Sequence, residues 1–223
     1  MIIFGNKNSK NGYAIGSIGQ AGIVFYDKGS YSNGWRFIEC SKTGYSKYWG
    51  GHDIVTGAMN TAIGAGKTNT IAIIAFWNTW RNTRITIANG GTWNGLPLDS
   101  VDYTGVQTEL LSGKIPLRYK WDGSTNNNNP TTWTWLDDYA VKYCDNLTNE
   151  GMYDWYLPSS LELETIRTTL IANGIGGFSG YYWSSSESTA SQNEKAWNLA
   201  VLENFMGIWF KYSIMSICPV RYF

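Results

Sequence analysis

The chain has 223 residues, 43% of them hydrophobic and 16% aromatic, enough for a substantial core in one large domain or two small ones. Its 17 Lys and Arg balance 17 Asp and Glu with no basic block, so no nucleic-acid partner held by a phosphate footprint is expected. No apolar run reaches the length of a bilayer span, so no membrane insertion is expected either. The opening MIIFGNKNSKNG lacks a charged leader ahead of a long apolar core, which is not the pattern of a signal peptide. That leaves a trimmed leader, or delivery by assembly as in a virion component.

In chain order, Ile23–Tyr26 and Trp35–Glu39 read as two strands around a Gly/Ser/Asn turn. Ile54–Ile63 and Ile71–Trp80 read as helical or mixed, separated by Gly64–Thr70. Asn89–Asp102 reads as loop, Thr104–Leu111 as a short helix and Lys114–Trp121 as a strand. DGSTNNNNPTT at Asp122–Thr132 is the strongest breaker segment. Two helices carry firmer signals. Thr134 with Asp137 offers a capping pair ahead of a stripe of Leu136, Ala140, Tyr143, Cys144 and Leu147. Ser159 with Glu162 forms a capping box ahead of Leu163, Ile166 and Leu170, and Gly174 stops that helix. Short strands follow around Tyr181–Ser184, Ala196–Val201, Ile208–Tyr212 and Ile217–Arg221. The order of elements predicts an α+β domain.

The run Phe205-Met206-Gly207-Ile208-Trp209-Phe210-Lys211-Tyr212-Ser213-Ile214-Met215 breaks the alternation of a half-buried strand. It is either a strand buried on both faces or an exposed recognition surface. Because side chains alternate along a strand, about half of Ile208–Tyr212 belongs to the core.

Other constellations carry little chemistry. GAGKT at Gly64–Thr68 lacks the glycine that a phosphate loop needs, since Thr61 stands there. Its glycines serve a tight turn, with Asn69 and Thr70 bonding the loop internally. His52 is the single histidine and reads as a solvated turn residue. Asp137, Asp138, Asp154, Glu162 and Glu164 show no spacing that singles out a catalytic pair. Cys40, Cys144 and Cys218 form no Cys-x-x-Cys motif and read as reduced, mostly buried thiols.

Four segments in order carry a resemblance. YWSSSE at Tyr182–Glu187, Ala196-Trp197 and the terminal Pro-Val-Arg-Tyr-Phe resemble the closing segment of a bacterial and phage family with a C-type-lectin fold. That family includes C-terminal domains of collagen-like adhesins and the variable proteins diversified by retroelements. AVKYCDNLTNEGMYDWYLPSSLEL at Ala140–Leu163 is similar to its Tyr-Cys-x-x-Leu, Gly-x-x-Asp-Trp-x-Leu-Pro and Glu-Leu pattern. GIVFYDKG at Gly22–Gly29 with GWRFIE at Gly34–Glu39 resembles its opening hairpin, and AIGAGKTNT at Ala62–Thr70 also has counterparts.

The resemblance implies one C-type-lectin-like domain over residues 1–223: two helices on small, mainly antiparallel sheets, loop-rich, with a loop insertion near 122–132. It implies a non-catalytic adhesin or receptor-binding protein, exposed on a virion or bacterial surface, with a protein or glycan ligand on another cell. A homo-oligomer is compatible with it. The implied contact residues are Ser188, Thr189, Ser191, Asn193, Asn198, Asn204, Phe205, Met206, Ile208, Trp209, Phe210, Tyr212, Ile214 and Met215. Trp183, Glu187, Trp197, Val220 and Arg221 form the implied frame, and Asp154-Trp155 a structural element in which Tyr156 replaces a common Arg. Some relatives carry cysteines that match Cys144 and lie near Cys218, but Cys218 is displaced, which speaks against that disulfide. Calcium-dependent sugar motifs (Glu-Pro-Asn, Trp-Asn-Asp) are missing. No cofactor is expected; only Asp122-Gly123 offers a fragment of a structural calcium loop. Formylglycine-generating enzymes share the broader fold, yet the cysteines here do not reproduce their pair, so the alternative of an enzyme, on that chemistry or on polysaccharide, rests on fold alone.

Overall fold

The computed structural model describes residues 12–41, 45–88, 103–118 and 129–223. The loop read at 89–102, the end of the strand read at Lys114–Trp121 and the Asp122-Gly123 calcium fragment lie outside them, as does most of the 122–132 insertion. The fold is α+β.

The opening hairpin pairs β1 (Ile23–Ser32) with β2 (Trp35–Cys40). Its turn is Asn33-Gly34, with φ of 50° and 82°. Two left-handed residues match the twist of the flanking strands, which is why an Asn-Gly pair turns this hairpin. The C-terminal strand β10 (Val220–Tyr222) lies antiparallel on the other side of β2, so the first and last strands share one three-stranded sheet.

Helix α1 (Gly66–Ala88) is longer than its sequence signal, because it starts inside the Gly-rich segment. Ile73, Trp77 and Trp80 line its buried face at helical spacing. Residues Ile54–Ile63, expected to be helical or mixed, instead follow an irregular path held by distant partners. The Ile54 N–H donates to the Asn193 carbonyl, and the Glu187 N–H donates to the Ala58 carbonyl at 2.7 Å. Local apolar spacing was overridden there by tertiary hydrogen bonds.

Helix α2 (Gln107–Leu111) follows a 3-10 turn at Thr104–Val106, where a short helix was expected. Within the described part of the strand read at Lys114–Trp121 lies β4 (Ile115–Pro116), paired with β5 (Trp135–Leu136). Because Trp135–Leu136 is taken up by that pairing, α3 runs over Ala140–Asn146 with no side-chain cap, and Thr134 with Asp137 does not start it. Helix α4 (Ser160–Thr169) starts at the expected capping box. Gly174 is left-handed at 67° and closes the 3-10 turn that follows.

Strands β3 (Tyr45–Tyr48), β6 (Tyr181–Glu187), β7 (Lys195–Ala200), β8 (Phe205–Phe210) and β9 (Ile214–Ile217) form a five-stranded sheet in the order β3-β9-β6-β7-β8. Trp183, Ala196, Met215 and Ile217 join a core with α1 and α3 residues such as Ile73, Trp77 and Val141. Leu199 joins a second core with Leu163, Ile166 and Leu170 of α4 and with Phe25, Ile38 and Val220. The sheet is covered on both faces at its centre, and β8 is its edge. All three cysteines are free and buried.

Candidate ligand-binding surface

The C-terminal segment is anchored by charges that the fold buries completely. Lys211 follows β8 directly, and its ammonium donates to Glu187 Oε1 at 2.5 Å, to the Ile54 carbonyl at 2.9 Å and to the Gln192 carbonyl at 2.5 Å. Glu187 also accepts from the Thr56 and Gly57 N–H groups. Lys211 is therefore matched by three acceptors, and its nitrogen lies 4.5 Å from the centre of the Trp49 ring. Burial pushes its pKa down, and the Glu187 carboxylate only partly restores it. This cluster ties loop 54–58 and turn 188–194 to the end of β8.

A second buried cluster holds β10. Arg221 Nε donates to Asp154 at 2.6 Å and its Nη1 to Glu39 at 2.8 Å, while Glu39 accepts from the Ala21 and Gly22 N–H groups. Asp154 thus finds its cation at the far end of the chain. Trp155 is buried with its indole N–H on the Met152 carbonyl, as its structural reading requires. Trp183, Glu187, Val220 and Arg221 are all buried, as frame residues should be. Trp197 differs: it is only half-buried and lines an open groove, so it is no core anchor.

On this frame the residues expected to contact a ligand separate into three groups by exposure. Ser188, Asn198 and Met215 are buried, at 2%, 4% and 7% exposure. Ser188 belongs to the turn, where its hydroxyl accepts from the Ala190 N–H. Ser191, Met206, Ile208, Phe210 and Tyr212 are half-buried. Thr189, Asn193, Asn204, Phe205, Trp209 and Ile214 are exposed. Of the run Ile208–Tyr212, only Lys211 is fully buried. The expected half-core is therefore one charged side chain and three partly covered apolar ones.

The register explains which groups face together. Phe205, Gly207 and Trp209 of β8 stand opposite Ala200, Asn198 and Ala196 of β7 and share one face. A Cβ on Gly207 would come within 2.9 Å of the Phe205 ring, so the glycine makes room for that aromatic. Trp197 and Met206 alternate to the other face, and together with Phe205 at the strand end they border a groove of about 470 Å³ between β7, β8 and α4. Its polar wall is a chain in which Arg167 donates twice to Glu164, at 2.7 and 2.6 Å, and once to Asn204 Oδ1 at 2.7 Å. Asn204 is left-handed at 52°, so this contact fixes the turn between β7 and β8. Replacing Trp197 by Ala is expected to cost about 2 kcal/mol, below the 3–5 kcal/mol of a fully buried ring. Chemical denaturation of the variant measures it.

At the opposite end of β8, Phe210 and Tyr212 stack with ring centres 5.2 Å apart. Lys195 lies over Phe210 and Arg118 over Tyr212, giving a cation–ring–ring–cation stack. His52 packs edge-on against Tyr212 and is 2% exposed, which corrects its reading as a solvated turn residue. Its Nδ1 lies 2.8 Å from Asp53, while Nε2 has no hydrogen-bond partner among the described residues.

No protein-family model matches this chain, and no curated protein matches it significantly.

The remaining motifs have structural duties. Glu162 seals the GAGKT segment: its carboxylate accepts from the Gly64 N–H at 2.9 Å, and a Cβ on Gly66 would come within 2.4 Å of its Oε2. A carboxylate of the chain itself thus lies against the start of α1, too close to Gly66 to admit a side chain there. Asn69 and Thr70 do not close the loop internally. Asn69 donates to the Asn60 carbonyl, and the Thr70 hydroxyl accepts from the Leu157 N–H, joining α1 to the start of α4. Ser185 and Ser186 belong to the same buried polar seam, through Pro158 and Ser160. Among the described residues no cluster of three or more His, Cys, Asp or Glu could hold a metal ion, and no helix is long and apolar enough to cross a membrane.

Proposed function

We propose that this chain is a non-catalytic binding module with a C-type-lectin-like fold, displayed on a virion or bacterial surface, with segment 188–216 as its recognition face. The observation that carries this reading is the contrast within that segment. Phe205, Trp209 and Ile214 are 60%, 53% and 58% exposed on or beside an edge strand whose neighbours Glu187, Lys211 and Met215 are buried. Rigid aromatic and aliphatic groups held in water on a fully bonded base are suited to recognition. Adaptable polar groups lie beside them, with Thr189 and Asn193 exposed in the adjoining turn. The partner class is a protein or glycan on another cell, reached without a cofactor. Diversification of the segment by a retroelement fits this division, because change at Thr189, Asn193, Phe205, Trp209 and Ile214 leaves the buried charges intact.

The test is binding of the whole protein to glycan arrays and to bacterial cells, beside the Phe205→Ala/Trp209→Ala variant. Binding that falls at least tenfold in the variant, with melting unchanged, supports the proposal. Binding that survives the double substitution moves the site elsewhere. A further expectation is that the chain unfolds in one cooperative step. Cleavage at Asn126–Pro130 that releases two independently folded pieces would contradict it.

A further inference from the structure

Cys40 ends β2, and Cys218 stands between β9 and β10. Val220 is the register partner of Cys40, and the Ser41 N–H donates to the Pro219 carbonyl at 2.8 Å. This pairing draws the segment that carries Cys218 alongside the end of β2. The Cys218 thiol is a neighbour of the Cys40 thiol. Both side chains sit in the same apolar core with Ile38, Leu163 and Val220, whereas Cys144 packs in the other core. Strand pairing and a shared core thus bring two thiols 178 residues apart in sequence into one neighbourhood.

We propose that Cys40 and Cys218 are a latent disulfide pair that staples the first hairpin to the last strand when the chain folds under oxidising conditions. The oxidant is a small-molecule disulfide such as oxidised glutathione. One protein thiolate attacks it, forming a mixed disulfide and releasing one glutathione thiolate. The second protein thiolate then attacks the protein sulfur of that mixed disulfide and releases the other glutathione. Two protein thiols lose two electrons, the glutathione disulfide gains them, and the two protons end on glutathione. The neighbouring Cys40 thiol, and after it burial, raise the Cys218 thiol pKa, and burial raises that of Cys144, so thiolate is scarce in the native state. The bond therefore forms as the chain folds, before the core closes over the sulfurs. The staple holds β10, and with it Arg221, against β2.

The experiment is refolding of the reduced, denatured whole protein in a mixture of reduced and oxidised glutathione, followed by non-reducing peptide mapping. Three cysteines allow three pairings. Loop closure in a random chain favours Cys144–Cys218, the shortest loop, and disfavours Cys40–Cys218, the longest. A dominant Cys40–Cys218 link therefore reports native geometry. The expected product is two hydrogens lighter, with Cys144 still open to alkylation and a melting temperature above that of the reduced protein. Cys40→Ala and Cys218→Ala should each abolish the shift, and Cys144→Ala should retain it. Diamide oxidation in urea near the unfolding midpoint, where the core opens reversibly, gives an independent reading should refolding yields be low. A Cys144–Cys218 link, or three alkylatable thiols in the folded product, would overturn the proposal.

Discussion

Replacing Lys211 by Met is expected to remove about 3–5 kcal/mol of folding stability, the usual cost of breaking a buried ion pair from one side. Methionine fills a similar volume, so the loss is electrical rather than steric. It leaves Glu187 buried with only the Thr56 and Gly57 N–H groups, and it leaves the Ile54 and Gln192 carbonyls without their donor. Urea unfolding measures the effect. Substituting Glu187 by Leu as well should recover part of it, because the uncompensated charge goes too. The pH dependence has a defined direction. Burial holds the Lys211 pKa below its ordinary 10.5. Between the lowered native pKa and 10.5 the unfolded chain binds more protons than the native one, so this residue makes stability rise with pH across that window. The Met variant should lack that contribution.

Glu162→Ala is the second substitution with a large expected effect. The carboxylate accepts from the Gly64 N–H at 2.9 Å, the Ser159 N–H at 2.7 Å and the Tyr156 hydroxyl at 3.1 Å, all at a fully buried position. Its removal orphans three donors and takes away the carboxylate half of the α4 capping box, while the Ser159 hydroxyl keeps its bond from the residue-162 N–H. At about 1–3 kcal/mol for each unsatisfied buried group, with partial relaxation, the loss should reach about 3–5 kcal/mol. Glu162→Gln should fall between wild type and Ala, because its amide NH2 faces donors rather than acceptors. Hydrogen exchange should report the break locally, at the Gly64 and Ser159 amides, before global unfolding.

Some local signals were carried by the sequence and one was not. The hairpin turn before Trp35 and the Ser159–Glu162 capping box stand where they were read, and Gly174 closes the 3-10 turn after α4, whereas the Thr134–Asp137 pair does not start α3. The long-range elements were illegible for a physical reason. Nothing in Ile54–Ile63 announces that its backbone is bonded to Asn193 and Glu187, more than a hundred residues away. Lys211, set in an aromatic run, looks like the exposed member of a strand, yet its acceptors come from three separate segments. The same holds for Arg221, whose partners Asp154 and Glu39 lie in distant loops and strands. Trp197 misled in the opposite direction: its motif suggests an anchor, but its place near the sheet edge leaves the ring half open. For the candidate surface, irregular composition marked the segment correctly as unlike a single buried strand. It did not sort Asn198 and Met215, which are buried, from Phe205, Trp209 and Ile214, which are exposed.

The account turns on that last division, between a rigid buried frame and a free face. Thermal and urea unfolding of the Phe205→Ala/Trp209→Ala/Ile214→Ala triple variant, beside Lys211→Met, tests it most directly. Exposed positions should each shift stability by about 0.5 kcal/mol or less, so the triple variant should melt close to wild type while Lys211→Met falls far below it. A triple variant that loses several kcal/mol would show those side chains to be core, and the recognition face would not exist.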